Sequence, residues 1–471
     1  MLAILLSFSL LAADLPPSTS LSSSHAAYDG NALVLTGQVL LDHGMGKMHA
    51  ERASLQKQEV GSDFPFALIE LQNNVLLHLK NNASLTCSSA NLDFTLLQGF
   101  VFSDETARVI FSDRVGKNTP LKITSNEAEL TFSKQNLHEK KADYEIETVL
   151  AKNNVVLEYN TDVVLHTDRA FYKKISSQNK LEGTISAYST ENTALCRVTH
   201  FDDIIEARTI NIDLLQGHIA MQRPHGTLAS SFFPKMNQGL LQFQSDDLLW
   251  DQKQDTLMLQ GAVYIKEEGI GDIATNDELH LTYAQQDKKR VLKSIKTTGG
   301  ATMHYGTRQL ISHGPIYLDR DALTVAINSP ITDGSVLLEE QICFQEGEIK
   351  IYADKAHMEY SLFDGFIHPV SILLKDNVRL FSMNSNQKQR LSLADRLTYS
   401  PTTRTFILTA TPGKKVLFQS EEDGMNISAQ EVHITYDPET KQEKIQGVGN
   451  VQLKFSSDEI NLIKKMFPSH E

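Results

Sequence analysis

Four acidic residues recur at one place in a repeated phrase, each followed at once by a base: Glu51-Arg52, Asp168-Arg169, Asp354-Lys355 and Asp395-Arg396. Three histidines, His280, His357 and His433, recur at another. Two chemistries could use them. Carboxylates on adjacent coils of a parallel β-helix can act as acid and base in glycan cleavage. Stacked imidazoles can hold metal ions. Against the first stands the base beside each carboxylate, which reads as a turn or surface ion pair at a strand entrance. Against the second, the histidines alternate with apolar residues and so belong to a solvated outer face. Other chemical motifs are missing: there is no His-Glu-x-x-His, no Gly-x-Ser-x-Gly and no phosphate loop, since Gly116-Lys117 lacks its upstream glycine. Gly447 and Gly449 flank one valine, which a strand kink explains. Cys87, Cys196 and Cys343 are more than a hundred residues apart and read as isolated buried side chains. The expectation is a protein without enzymatic chemistry, metal or cofactor.

The elements that carry these residues are strands. From Tyr28 onward the polarity alternates with period two. A closing phrase reads as a small or polar residue, two polar residues, then apolar-x-apolar, often with an aromatic two further on. It begins at Ala50, Cys87, Ser125, Thr167, Ala207, Ser245, Asn276, His313, Ala353, Ala394 and Ala429, eleven copies spaced 31 to 42 residues apart. The copy His313-Gly-Pro-Ile-Tyr-Leu318 is degraded. An opening phrase sits between copies, an alternating run that reaches Gly, Asn or Asp and then x-Val or x-Ile. Examples are Gly37-Gln-Val39, Asn73-Asn-Val75, Asn153-Asn-Val155, Gly217-His-Ile219, Gly261-Ala-Val263, Asp376-Asn-Val378 and Gly449-Asn-Val451. Gly and Asn tolerate left-handed backbone, so this position is expected to kink a strand while pairing continues on both sides. A parallel β-helix also alternates, but its coils are shorter and turn three corners. Two strand phrases with hairpin-like links favour an antiparallel ladder.

At 471 residues the chain has room for two or three domains or one repeat array. A net charge of −14 with no basic run excludes a nucleic-acid binder, because phosphates are held by clustered Lys and Arg. Residues 1–13 form an apolar run of signal-peptide length without a basic residue before it, followed by a polar linker, 14–27. Export is the expectation. Residues 223–238, with two prolines, read as a hinge or loop between jelly-roll segments 28–222 and 239–455. Ser456-Ser-Asp-Glu459 reads as a capping box that opens a short helix in the tail 456–471.

A sheet with one apolar face must fold over or pack on a second sheet, which here gives an apolar-walled trough. The order and number of the phrases, clearest from Leu249 to Tyr283 and again from Leu397 to Leu453, resemble the OstA-like (organic solvent tolerance), LptA-type family of lipopolysaccharide-transport β-jellyrolls. The chain is longer than a minimal bridge protein of that family and lacks the barrel of its outer-membrane member. The resemblance implies an all-β, elongated antiparallel β-jellyroll or "β-taco" of about eleven repeats. It implies acyl chains of lipopolysaccharide or lipid A as ligand, and edge-strand pairing with other OstA-like jellyrolls or with further copies of the chain. It also implies a periplasmic location, with association to the outer membrane. The expected groove residues are Leu248, Trp250, Leu257, Leu259, Val263 and Ile265, followed by Leu279, Leu281, Tyr283, Met358 and Tyr360. Leu397, Tyr399, Val432, Ile434 and Tyr436 complete the set. Eleven repeats of two rungs at about 4.8 Å give roughly 105 Å. The competing reading is a structural or adhesive β-solenoid-like surface protein without lipid cargo.

Overall fold

Alternation commits each stretch to a strand with one apolar face, and two such faces must meet. The computed structural model describes residues 20–467 except 58–65, 105–106, 116–118, 136–142, 161, 178–179, 190–194, 231–238, 269, 287–288, 330–340, 364–365, 384–387, 423, 438–439 and 441–442. The expected leader at 1–13, part of the linker and Gly116-Lys117 lie outside the described residues. The fold is all-β and antiparallel, with one short helix among the described residues. The chain divides into two units, Met1–Pro224 and His225–Glu471.

The first unit folds into two sheets. One runs from His25–Tyr28 through residues 32–36, 52–57, 66–72 and 89–93, then Gln98–Phe102 and Glu127–Gln135. It continues through residues 143–152 and 169–177 to Lys180–Tyr188, Thr209–Asp213 and His218–Gln222. The other starts at Ser20–Ser22 and takes residues 39–43, 46–50, 75–79 and 84–87, then Val109–Val115 and Thr119–Ser125. Residues 155–159 and 163–167, Cys196–His200 and Asp203–Ala207 complete it. A long strand such as Phe66–Leu79 therefore belongs to both sheets and bends between them.

The second unit repeats the plan with shorter strands. Its first sheet orders His225–Ser230, Gly239–Gln244, Val263–Glu267, Gly271–Thr275, Ala301–Tyr305, Arg308–Ser312, Ile342–Glu346 and Ile349–Ala353. Residues 378–383 and 389–394, Val416–Ser420 and Met425–Ala429 follow. Its second sheet orders Asp247–Asp251, Thr256–Gln260, Leu279–Gln286, Lys289–Thr297, Ile316–Asp319, Thr324–Asn328 and Lys355–Phe363. Residues 366–375 and 396–400, Thr405–Thr409, Glu431–Tyr436 and Glu443–Val448 follow. About a dozen rungs at roughly 4.8 Å make each ladder on the order of 50 Å long.

The two phrases are the two ways of crossing between sheets. Closing phrases cross one way: Gly271–Thr275 ends in the first sheet and Leu279–Gln286 begins in the second. Opening phrases cross back through paired left-handed residues, as at Asn73 and Asn74 (φ 61° and 53°), Asn153 and Asn154 (60° and 56°), and Asp376 and Asn377 (62° and 50°). Asn and Asp reach this region at the least cost of any residue with a side chain. At Gly261 (φ 65°) a Cβ would also fall 2.4 Å from Asp246 Oδ2 of the neighbouring closing phrase, so glycine is required twice over. Both crossings lie along one edge, the spine. Hairpin turns lie along the opposite edge, the seam.

Two expectations need correction. Gly217 (φ 72°) does not cross between sheets; its N–H donates to Asp213 C=O at 2.8 Å within a tight hairpin. Within the expected hinge or loop 223–238, where the boundary between the two units falls, residues 225–230 are a strand, because His225–Ser230 pairs with Gly239–Gln244. The helix Ser457–Met466 forms as expected, with the reciprocal capping box of Ser456 and Glu459. It buries Ile463 against Leu393 and Leu417.

Candidate ligand cavity

In the first unit the seam is filled. His43, Phe94 and Tyr144 stack with ring centroids 4.3 to 5.3 Å apart, and Phe94 lies 5.8 Å from Phe132. Burial, with Lys80 nearby, pushes His43 down to about 3, and its Nδ1 accepts from the Met45 N–H. Further along, Lys174 from one sheet meets Asp113 from the other at 3.5 Å, and the Tyr172 hydroxyl donates to the same carboxylate at 3.3 Å. Burial and Asp113 together raise the Tyr172 phenol. Between seam and spine the interior is dry: Ile69, Leu85, Leu157 and Leu165 have no exposure.

The second unit differs beyond its first few strands. A cavity of about 260 Å³ lies between its sheets. Met303, Leu310 and Phe344 line it from the first sheet, and Met358, Ile372, Tyr399 and Phe406 from the second. These seven are half-buried, whereas Leu257 and Leu259 a few rungs away have no exposure. Ile349, at the seam, is 39% exposed. The cavity is therefore reached from the seam. A Cβ at Gly306 or Gly347, in two hairpin turns there, would meet nothing within 4 Å, and no large side chain from these turns fills the gap. The floor is Ile327, Ile351, Ala353, Leu374 and Leu397. The lining also carries polar groups: the buried pair Glu267 and Arg320, His357, which was expected on the outer face, and, at the rim, His304, whose Nδ1 lies 2.8 Å from Asp272, and Arg308, whose Nε donates to Glu346 at 3.0 Å.

Of the sequence-derived groove residues, the structure brings Ile265, Met358, Leu397 and Tyr399 to the cavity. Leu248, Trp250, Leu257, Leu259, Val263, Leu279, Leu281, Tyr283, Tyr360 and Val432 are buried in the closed core. Ile434 is half-buried against the core cluster near the C-terminal end, and Tyr436 is exposed. The phrases mark where the sheets cross, and packing is tightest there. They do not single out Met303, Leu310, Phe344, Ile349, Ile372 or Phe406. The available signal was the degraded copy at His313, whose strands Arg308–Ser312 and Ile316–Asp319 carry part of the lining.

The recurrent carboxylates line the spine, away from the cavity. Asp354, 2% exposed, accepts from Gln341 Nε2 and Asn377 Nδ2, each at 2.6 Å, so it ties a closing crossing to an opening one. Asp395 is partly desolvated, which alone would raise it. The Thr411 N–H and hydroxyl, at 2.7 Å, and Lys414 outweigh that and hold it below the usual carboxylate range. Asp168 accepts from the Ser189 hydroxyl at 2.5 Å. His280 and His433 pair with Glu278 and Glu431 two residues back, at 3.2 and 3.0 Å, on the outer face. Among the described residues no group of His, Cys, Asp and Glu could hold a metal ion. No family model matches the sequence, and no curated protein matches it.

Proposed function

We propose that the chain is a lipid-carrying periplasmic bridge or scaffold that takes acyl chains of lipopolysaccharide or lipid A into the cavity of its second unit. The apolar lining reached from the seam carries this reading. Each methylene moved out of water is worth about 0.8 kcal/mol, so a lipid crossing an aqueous gap needs such a shelter. The volume is a little below the roughly 300–1,000 Å³ of small-molecule pockets, which suits an acyl chain more than a whole multi-acyl lipid. Phosphates and sugars would remain at the rim, in solvent. Carboxylates committed to the spine support a binder in place of an enzyme. Among the described residues the end strand Glu443–Val448 pairs on one side only, and its outer N–H and C=O groups would accept another OstA-like jellyroll or a further copy by strand addition. The dry interior of the first unit favours a structural role for that part.

The test is lipid extraction from the full chain purified out of a lipopolysaccharide-producing envelope, beside the filled variants Ala356→Phe and Ile372→Trp. Bound lipid in the native chain and its loss in both folded variants is the expected result. Absence of lipid from the native chain, or equal lipid in all three, would move the structural reading to first place.

A further inference from the structure

Two ion pairs face the cavity. Glu267 continues the inward phase of Val263 and Ile265, and Arg320 that of Ile316 and Leu318. Arg320 Nη2 donates to Glu267 Oε2 between the sheets, with each side chain 5% exposed. Arg308 is in phase with Leu310, and Glu346 with Phe344, and all four belong to the lining. Register sets Arg308 and Glu346 directly opposite one another on adjacent strands at the seam, and Arg308 Nε donates to Glu346 at 3.0 Å. Asp272 and His304 pair at 2.8 Å, but they are one place out of phase with Ile273 and Met303, as His357 is with Met358. Among the described lining residues, each arginine is therefore already matched in charge by a carboxylate.

Matched charge still leaves hydrogen-bonding capacity. A guanidinium carries five N–H donors in a planar fork, and Arg308 commits its Nε–H to Glu346. We propose that Arg308 is a specificity-determining residue at the cavity mouth: it holds the uncharged carbonyl of an ester- or amide-linked acyl chain and disfavours a free fatty acid, an inference that rests on reading the cavity as an acyl site. A carbonyl takes one N–H of the guanidinium while the ion pair stays intact, and its chain runs inward past Leu310 and Phe344 to Ile372. A free carboxylate in the same place sets a second anion beside Glu346 on one cation. It finds no other inward arginine, since Arg320 could serve it only by leaving Glu267 buried and alone. The Arg308 and Glu346 side chains are 37% and 42% exposed, so water screens the repulsion and the discrimination is modest.

The experiment is displacement of a neutral fluorescent probe, methyl cis-parinarate, from the full chain by three competitors of matched length: methyl decanoate, sodium decanoate and decyl methyl ether. The native chain should bind the ester about fivefold more tightly than the ether, which lacks the carbonyl, and more tightly than the acid. Glu346→Gln, which leaves Arg308 unmatched, should strengthen the acid about fivefold while the ester keeps its affinity. Arg308→Met should level ester and ether. Both variants alter part-exposed side chains, and an unchanged circular dichroism spectrum reports that they fold. Lipid A and monodecanoylglycerol share the linkage and serve as further competitors; the one that displaces the probe and weakens in Arg308→Met is the source of the chain. An ester no tighter than the ether in the native chain overturns the role of Arg308 and leaves the acyl site standing. An acid unmoved by Glu346→Gln, or an ester advantage that survives Arg308→Met, does the same. If the probe does not bind the native chain, or nothing displaces it, the acyl reading itself falls, and the role of Arg308 with it.

Discussion

Lys174→Met tests whether the seam of the first unit is held by charge. Lys174 and Asp113 have side chains only 3% and 2% exposed, and the lysine also lies 3.3 Å from Glu145. Removing the lysine leaves Asp113 with the Tyr172 hydroxyl at 3.3 Å and the Arg114 N–H at 2.7 Å. Breaking one side of a buried pair costs roughly 3–5 kcal/mol. The two remaining donors place the expected loss near the lower figure, about 3 kcal/mol. Replacing both partners, Asp113→Leu with Lys174→Met, should return stability to within about 1 kcal/mol of the native chain. The assay is urea unfolding followed two ways. Trp250 is the single tryptophan and lies in the second unit, so its fluorescence tracks that unit, while circular dichroism follows both. With slopes of about 1–3 kcal/mol per molar urea, the single variant should unfold its first unit about 1 M or more earlier. A loss under about 1 kcal/mol, or a double variant as weak as the single one, would refute the reasoning.

His43 is neutral when folded, held at about 3 by burial, whereas an unfolded histidine titrates near 6.5. Between those values only the unfolded chain takes the proton, so stability is complete above 6.5 and falls about 1.4 kcal/mol per pH unit down to about 3. His43→Phe should flatten that acid slope relative to the native chain in the dichroism transition. Asn154 sits at φ 56° in the paired left-handed crossing, so Asn154→Val should cost about 1–3 kcal/mol and Asn154→Gly little, by the same urea measurement. Ser456→Ala removes the helix cap and should cost about 1 kcal/mol. Amide exchange over the helix Ser457–Met466 should quicken while Ile463 keeps it docked.

Much of this architecture was legible because it is local. Period-two alternation, and Asn or Gly at the kinks, follow from backbone geometry that a few neighbouring residues decide. The repeated closing phrase marked each crossing correctly, since a small residue, two polar ones and an apolar pair are what a spine corner needs. The lining of the cavity was not legible in the same way. Leu257 and Met358 read alike in sequence, yet one is sealed and the other half-buried, because the difference lies at the seam. Whether a hairpin end carries Tyr144 or Gly306 decides if the two sheets are bridged there. Such pairs come from strands far apart in the chain, and alternation carries no information about them. The acidic residues read as turn or ion-pair groups at strand entrances, and Asp354 and Asp395 do sit at crossings; their partners Gln341, Asn377, Thr411 and Lys414 come from neighbouring segments and could not be read from the phrase.

On the proposed function, lipid should occupy the second unit between its sheets and be absent from the buried interior of the first. Photo-crosslinking residues placed at Phe344 and Ile372, with Leu259, Leu281 and Leu157 as sealed controls and His433 as an outer one, test it in cells that make lipopolysaccharide. Lipid A adducts are expected at the first two positions and none at the other four. Adducts at Leu157 as readily as at Phe344, or none at either cavity position in a folded chain, would contradict it.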